Sequence, residues 1–104
     1  MSKKQLIHGL TNLLAIALRH KIGGIVNKEE IYAGKYAKDA ETLLKEAKKI
    51  AIKENWNTYD KDKIKKELRS KLKKELEEKE FLNNKKFDIM EEEMKRVLKE
   101  MNIN

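Results

Sequence analysis

The sequence predicts an all-α protein, a small helical bundle of about four helices. Three observations support this prediction. The 104 residues include no proline and only four glycines, so little interrupts a helix. Apolar residues recur at spacings of three and four, which is the period of an amphipathic helix. Residues 5–18 carry no formal charge in a chain that is 41% charged. We therefore expect one helical domain over residues 1–104, organised around its first helix.

Helices 1 and 2 are predicted to form an antiparallel hairpin. Helix 1 is expected over about residues 2–22, because the two glycines that follow are typical of a helix terminus. Residues 27–30 read Asn-Lys-Glu-Glu, the pattern of a helix cap followed by an acidic residue three positions later. Val26 and Ile31 flank this cap at positions where a hydrophobic contact fixes the direction of the next helix.

Helix 2 is expected over about residues 28–54 and should form the main seam of the bundle. Its apolar positions alternate between spacings of three and four, which places them on one face. They are Ala33, Tyr36, Ala40, Leu43, Ala47 and Ile50. A linker at residues 55–59 should follow, in which Trp56 and Tyr59 close the end of the bundle over the core. Thr58 or Asp60 is expected to cap helix 3.

Helix 3 is predicted to touch the bundle along a thin line and to be more exposed than helix 2. Its apolar residues recur at a strict four-residue spacing, so their stripe drifts around the helix by about 40° per step. They are Ile64, Leu68, Leu72 and Leu76. Helix 4 follows the polar residues 83–84, and residues 102–104 are expected to fray. The apolar residues of helix 4 are Phe87, Met90, Met94, Val97, Leu98 and Met101.

Composition argues against several classes of protein. The absence of cysteine removes disulfides, cysteine-based zinc sites and thiol chemistry, and it fits a reducing cytoplasm. The uncharged segment is shorter than the roughly 20 residues that a membrane-spanning helix needs, so we expect no membrane contact. We also expect no metal, no cofactor and no enzymatic activity. The sequence has neither a glycine-rich phosphate loop nor a histidine and an acid at a spacing typical of catalysis.

A polar stripe on helix 1 is the first candidate site. At about 100° per residue, six residues fall along one face of an otherwise apolar helix. They are Lys4, His8, Thr11, Asn12, Ala15 and Arg19. The simplest interpretation is a solvent-exposed face. The functional interpretation is an anion or phosphoryl site, since Lys4, His8 and Arg19 are all donors and imidazole titrates near neutrality.

The sequence around His8, Leu-Ile-His-Gly-Leu-Thr-Asn-Leu-Leu, resembles the phospho-acceptor helix of sensor histidine kinases. In that family a histidine is followed four residues later by asparagine and then by leucines. The resemblance covers residues 6–14 and implies a helical hairpin that dimerises into a four-helix bundle, with His8 as a phosphoryl carrier. The family usually has an acidic residue directly after the histidine, where this chain has Gly9. Nothing in the sequence resembles an ATP-binding domain, so the resemblance implies a passive phosphotransfer module.

Helix 3 carries the second candidate site. Residues 61–74 contain eight basic and two acidic side chains, and an acidic segment follows at residues 75–80. This order opposes the helix dipole, which favours acids early and bases late. An antiparallel second copy would pair the two halves, whereas a phosphate-binding face would use Lys61, Lys65, Arg69 and Lys73. A plain solvated face is the third interpretation.

From the sequence we expect a protein that acts through protein–protein contacts, as an adaptor or as a homo-oligomer, most simply a homodimer. Nucleic-acid binding through helix 3 and phosphotransfer through His8 stay open as alternatives. The net charge of +7 does not by itself indicate nucleic acid, because only three of the 25 basic residues are arginines.

Overall fold

Four α-helices make up most of the computed structural model, which describes residues 2–26, 33–78 and 85–104. The helices are α1 (Lys3–Val26), α2 (Ala33–Ala51), α3 (Thr58–Glu77) and α4 (Lys85–Glu100). No β-strand occurs within those ranges. The predicted all-α bundle of four helices is therefore confirmed.

The first helix lies at the centre of the bundle. It packs against α2, α3 and α4, whereas α2 contacts no helix other than α1 within the described residues. The apolar side chains of α1 at four-residue spacing are completely buried: Leu10, Leu14, Leu18 and Ile22. The uncharged segment thus forms the core against which the other three helices pack.

Contacts at both ends show that α1 and α2 are antiparallel. The side chain of Ile50, near the end of α2, lies beside Gly9, near the start of α1. At the opposite end the rings of His20 and Tyr36 meet edge to face, with their centroids 6.1 Å apart. The predicted hairpin is confirmed. The predicted cap at residues 27–30 and its contact with Ile31 lie outside the described residues.

The predicted end of helix 1 is wrong, because α1 continues through both glycines to Val26. Neither glycine has a positive φ angle, so neither adopts the left-handed conformation that ends a helix. Gly23 is buried, and Val26 packs against the core cluster. One further helical turn is what brings Val26 onto the core.

The predicted ranking of helices 2 and 3 by exposure is also wrong. On α2 the only buried side chains within the described range are alanines, at positions 40, 47 and 51, and the larger Leu43 and Leu44 are half-buried. On α3 all four residues of the apolar stripe are completely buried. The physical reason is that α3 contacts both α1 and α4, so its narrow stripe is covered from two sides.

The start of α3 is set by Asn57, one residue before the first predicted cap. The backbone N–H of Asp60 donates to Oδ1 of Asn57 at 2.8 Å, and the N–H of Asn57 donates to Oδ2 of Asp60 at 3.2 Å. This reciprocal pair is a capping box. Of the two aromatic residues nearby, Trp56 packs on the core and donates Nε1–H to the carbonyl of Ala51, but Tyr59 is 74% exposed.

The last helix ends in an ordered cap rather than in frayed residues. Asn102 has a φ of 58°, and its N–H donates to the carbonyl of Lys99. The N–H of Ile103 donates to the carbonyl of Leu98 at 2.9 Å, and the side chains of Ile103 and Leu98 both lie in the core. This combination is a Schellman motif. Phe87, predicted to belong to the apolar face of this helix, is instead 36% exposed.

Replacing Asn102 tests the importance of this cap. We expect Asn102→Ala to lower the free energy of unfolding by about 1 kcal/mol, because a Cβ disfavours the left-handed conformation. Asn102→Gly should be at least as stable as the wild type. Urea denaturation followed by circular dichroism measures both, and an alanine variant as stable as the glycine variant would contradict the cap.

Candidate functional site

A row of polar contacts joins α1 to α3, and we refer to it as the polar seam. Lys3 Nζ lies 2.6 Å from Oδ2 of Asp60, His8 Nδ1 lies 3.4 Å from Oε1 of Glu67, and Arg19 donates to Glu75 at 2.7 Å. Lys71 and Thr11 complete it. The partners follow in the same order along both helices, so α1 and α3 run parallel. All three acids come from α3, and each is paired with a basic group of α1, while Glu67 also lies 3.6 Å from Lys71 of its own helix.

Thr11 is the buried centre of the polar seam. It is completely inaccessible, and its Oγ1 accepts from Lys71 Nζ at 2.6 Å. The same hydroxyl lies 3.2 Å from Oε2 of Glu67, to which it donates. Lys71 also donates to the carbonyl of His8. Because Ala15 is only 2% exposed as well, the interpretation of the stripe as a solvent-exposed face is wrong along this part. Helix α3 covers it.

His8 keeps an accessible ring while its Nδ1 atom faces α3. The side chain is 65% exposed, and Nδ1 lies 3.4 Å from Glu67 Oε1 and 3.3 Å from Lys71 Nζ. Within the described residues, Nε2 has no polar partner. Nε2 is therefore the ring nitrogen left available to a ligand or a phosphoryl group.

The structure does not gather the four donor residues of the predicted stripe, Lys4, His8, Asn12 and Arg19, into one cluster. Lys4 and Asn12 are exposed, and their side chains have no polar partner within the described part of the chain. His8 and Arg19 lie about three helical turns apart and contact different carboxylates of α3. An anion binding here would have to compete with those carboxylates.

The predicted basic face of α3 is partly occupied by α4. Arg69 forms two parallel hydrogen bonds with the carboxylate of Glu91, at 2.7 and 3.1 Å. Lys61 and Lys65 are half-buried, and Lys73 is exposed. These three lysine side chains have no polar partner in the described ranges. Nucleic-acid binding through this face stays a prediction. The one arginine of the face, Arg69, is already paired with the carboxylate of Glu91.

Three carboxylates of these contacts have a lowered pKa. The hydrogen bond with Lys3 holds the pKa of Asp60 below its ordinary value. Burial raises the pKa of Glu67, but His8, Lys71 and Thr11 together outweigh burial and leave it below its usual range. The hydrogen bonds from Arg69 lower the pKa of Glu91. Each of these acids links α3 to a neighbouring helix.

Acid is therefore expected to loosen α3. Groups whose pKa is lower in the folded state contribute stability above their ordinary values of 3.8 and 4.5, and that stability is lost as the pH falls through and below them. We expect the urea midpoint to fall between about pH 6 and about pH 3. The urea midpoint of the triple variant Asp60→Asn, Glu67→Gln, Glu91→Gln should fall less over the same pH interval. A midpoint that does not fall with acid would contradict the role of these contacts.

A groove lies between α2 and α4, with Lys21 of α1 among its lining residues. It has a volume of about 510 Å³, and Ala37, Ala40, Leu44 and Met101 supply its apolar surface. The sequence analysis missed it. The available signal was that Ala37 and Leu44 lie beside the main apolar seam of α2, so the apolar arc is wider than contact with one helix requires.

The described part of the chain offers neither a bilayer-crossing helix nor a metal centre. Within residues 2–26, 33–78 and 85–104 no helix combines the length and apolarity that a membrane span needs. The same residues contain no group of three His, Cys, Asp or Glu side chains placed to hold a metal ion. No protein-family model, curated protein or solved structure matches the chain.

Proposed function

We propose that this protein is a small helical module that binds another protein chain in the groove between α2 and α4. The single observation that supports it is the isolation of α2. That helix packs closely against α1 alone within the described residues, and its Ala37 and Leu44 line the groove together with Met101, which follows the end of α4. An apolar helix face without a neighbour is typical of a site that a further helix covers.

The composition of the groove favours a protein partner. Its apolar lining residues Ala40, Leu44 and Met101 are buried or half-buried, whereas its charged lining residues Glu41, Lys45, Lys48 and Glu100 are exposed. An apolar centre with a charged rim is the usual arrangement of a protein–protein interface. The polar seam is a less suitable surface for a protein partner, because its charged groups are already paired with one another between α1 and α3.

A site-specific cross-link tests the proposal. Because the chain has no cysteine, Ala37→Cys introduces a single thiol at the groove that accepts a benzophenone label. The matched control is Lys66→Cys, which lies on the exposed side of α3. Irradiation in a lysate of the native host should give a discrete adduct from position 37 but not from position 66, with its partner identified by mass spectrometry. No adduct from position 37, or the same adducts from both positions, would refute the proposal.

Phosphotransfer through His8 is a second candidate, favoured by the position of Glu67. Its carboxylate lies 3.4 Å from His8 Nδ1, so α3 supplies the acid that is absent beside the histidine in the sequence. A carboxylate that accepts a hydrogen bond from Nδ1–H holds the neutral ring in the tautomer whose Nε2 carries a lone pair, and Nε2 is then the phosphoryl acceptor.

Phosphoramidate provides a test of this candidate. Its P–N bond breaks, ammonia leaves and a bond from phosphorus to His8 Nε2 forms, which phosphorus NMR detects. We expect His8→Gln to lose the acid-labile signal and His20→Gln to retain it, since His20 Nδ1 lies 2.9 Å from the carbonyl oxygen of Ile16. Glu67→Gln should slow the reaction. Equal labelling of the His8→Gln variant, or an unchanged rate in Glu67→Gln, would rule it out.

A further inference from the structure

We propose that the partner in the groove is a second copy of this chain, bound through an antiparallel contact between two α2 helices. This inference rests on the proposed function and adds the identity and orientation of the partner. The contact uses one lateral face of α2, which we call the docking face: Ala37, Glu41, Leu44, Lys48 and Ile52.

The residues of the docking face follow one another at spacings of four and three, so they lie on the same side of the helix. Four of them line the groove. The fifth, Ile52, continues the face beyond the end of α2, where its N–H still donates to the carbonyl of Lys48. It is 75% exposed, the highest value among the large apolar residues described as exposed. A partner that covers this face removes Ile52 from water.

The docking face is complementary to itself about a two-fold axis. When two α2 helices lie antiparallel with the axis midway between Leu44 and Lys45, Glu41 of each copy faces Lys48 of the other. The same axis places Ala37 of each copy opposite Ile52 of the other. Two ion pairs and two apolar pairs therefore arise from one register. A parallel arrangement would instead place Glu41 against Glu41 and Lys48 against Lys48, which is repulsive.

Both charges of the proposed pair are available. The side chain of Lys48 has no ion pair or hydrogen bond within the described ranges. Glu41 lies 3.5 Å from Lys45, but these side chains are 69% and 73% exposed. Such an exposed pair along one helix contributes little to stability, so it does not hold Glu41 away from a partner.

Charge reversal with sedimentation equilibrium tests the register. The wild type should dimerise, and Glu41→Lys and Lys48→Glu should each weaken self-association by about tenfold or more, because each variant places two like-charged pairs across the axis. An equimolar mixture of the two single variants should recover a heterodimer, since both of its pairs are then of opposite sign. The double variant should recover the homodimer. Lys35→Glu and Glu46→Lys, which change the same charges on the opposite side of α2, should dimerise like the wild type.

The outcomes separate this inference from the proposed function. A wild type that stays monomeric to hundreds of micromolar overturns self-association, while a cross-link from position 37 to a different protein would leave the proposed function standing. A dimer that tolerates both charge reversals uses another surface and overturns the docking face. A mixture of the single variants that stays monomeric overturns the antiparallel register.

Discussion

Leu72→Ala is expected to lower the free energy of unfolding by about 2–5 kcal/mol. Leu72 is completely inaccessible and belongs to the stripe through which α3 meets the core. Removing its isobutyl group loses the transfer free energy of the buried atoms and leaves a cavity that a packed core closes only in part. Urea denaturation monitored by circular dichroism gives the difference directly.

Leu43→Ala on α2 is the matched comparison, because it deletes the same atoms from a half-buried position. We expect a loss below about 1.5 kcal/mol, in proportion to the smaller area removed from water. Should Leu72→Ala fail to fold, Ile64→Val deletes a single methylene from the same stripe and should cost about 0.5–1.5 kcal/mol. Equal losses at positions 43 and 72 would contradict the finding that α3 contributes more to the core than α2.

The contrast between α2 and α3 shows what helical periodicity can and cannot predict. The spacing of Ile64, Leu68, Leu72 and Leu76 identifies which residues share a face, and all four are buried. It does not say how many helices that face meets. Burial of α3 depends on contact with both α1 and α4, whereas among the described residues the broader apolar arc of α2 meets only α1. That information lies in the packing order of the helices, which local spacing does not encode.

Two local features were present in the sequence and could have been predicted. Asn57 followed by Asp60 is a capping box, and the structure forms both of its hydrogen bonds. Asn102 followed by Ile103 fits a Schellman cap, because asparagine tolerates a positive φ angle and isoleucine returns to the core. The prediction that residues 102–104 fray is wrong, because it considered only their position at the end of the sequence. The apolar side chain of Ile103 packs in the core and holds the end of the chain there.

The polar seam depends on the parallel alignment of α1 and α3, which no local motif reveals. His8 and Glu67 are separated by 59 positions in the chain. The stripe on helix 1 could be identified by projection, but its acidic partners are three among many carboxylates on lysine-rich helices. Burial of Thr11 beneath Lys71 follows only when α3 is placed along that stripe.

Lys21→Met is expected to lower the free energy of unfolding by about 2–4 kcal/mol. Nζ of Lys21 lies 2.9 Å from Oε2 of Glu93, whose side chain is only 5% exposed. Without the lysine, a carboxylate at the contact of α1 with α4 loses its nearest cation and remains away from water. The expected loss is below that of a fully enclosed pair, because Lys21 is 29% exposed and Arg96 still donates to Glu93 Oε1 at 3.3 Å.

The double variant Lys21→Met, Glu93→Met separates the cost of an unpaired charge from the value of the pair. Replacing both groups by apolar side chains removes the buried charge, so most of the lost stability should return. Lys45→Met is the surface control, because its pair with Glu41 is exposed and should contribute less than about 0.5 kcal/mol. If Lys21→Met proved as stable as Lys45→Met, the carboxylate of Glu93 would not depend on α1 for its charge balance. A large loss that the double variant restores would instead identify this pair as the electrostatic link that fixes α4 on the central helix, directly beside the groove that Lys21 lines.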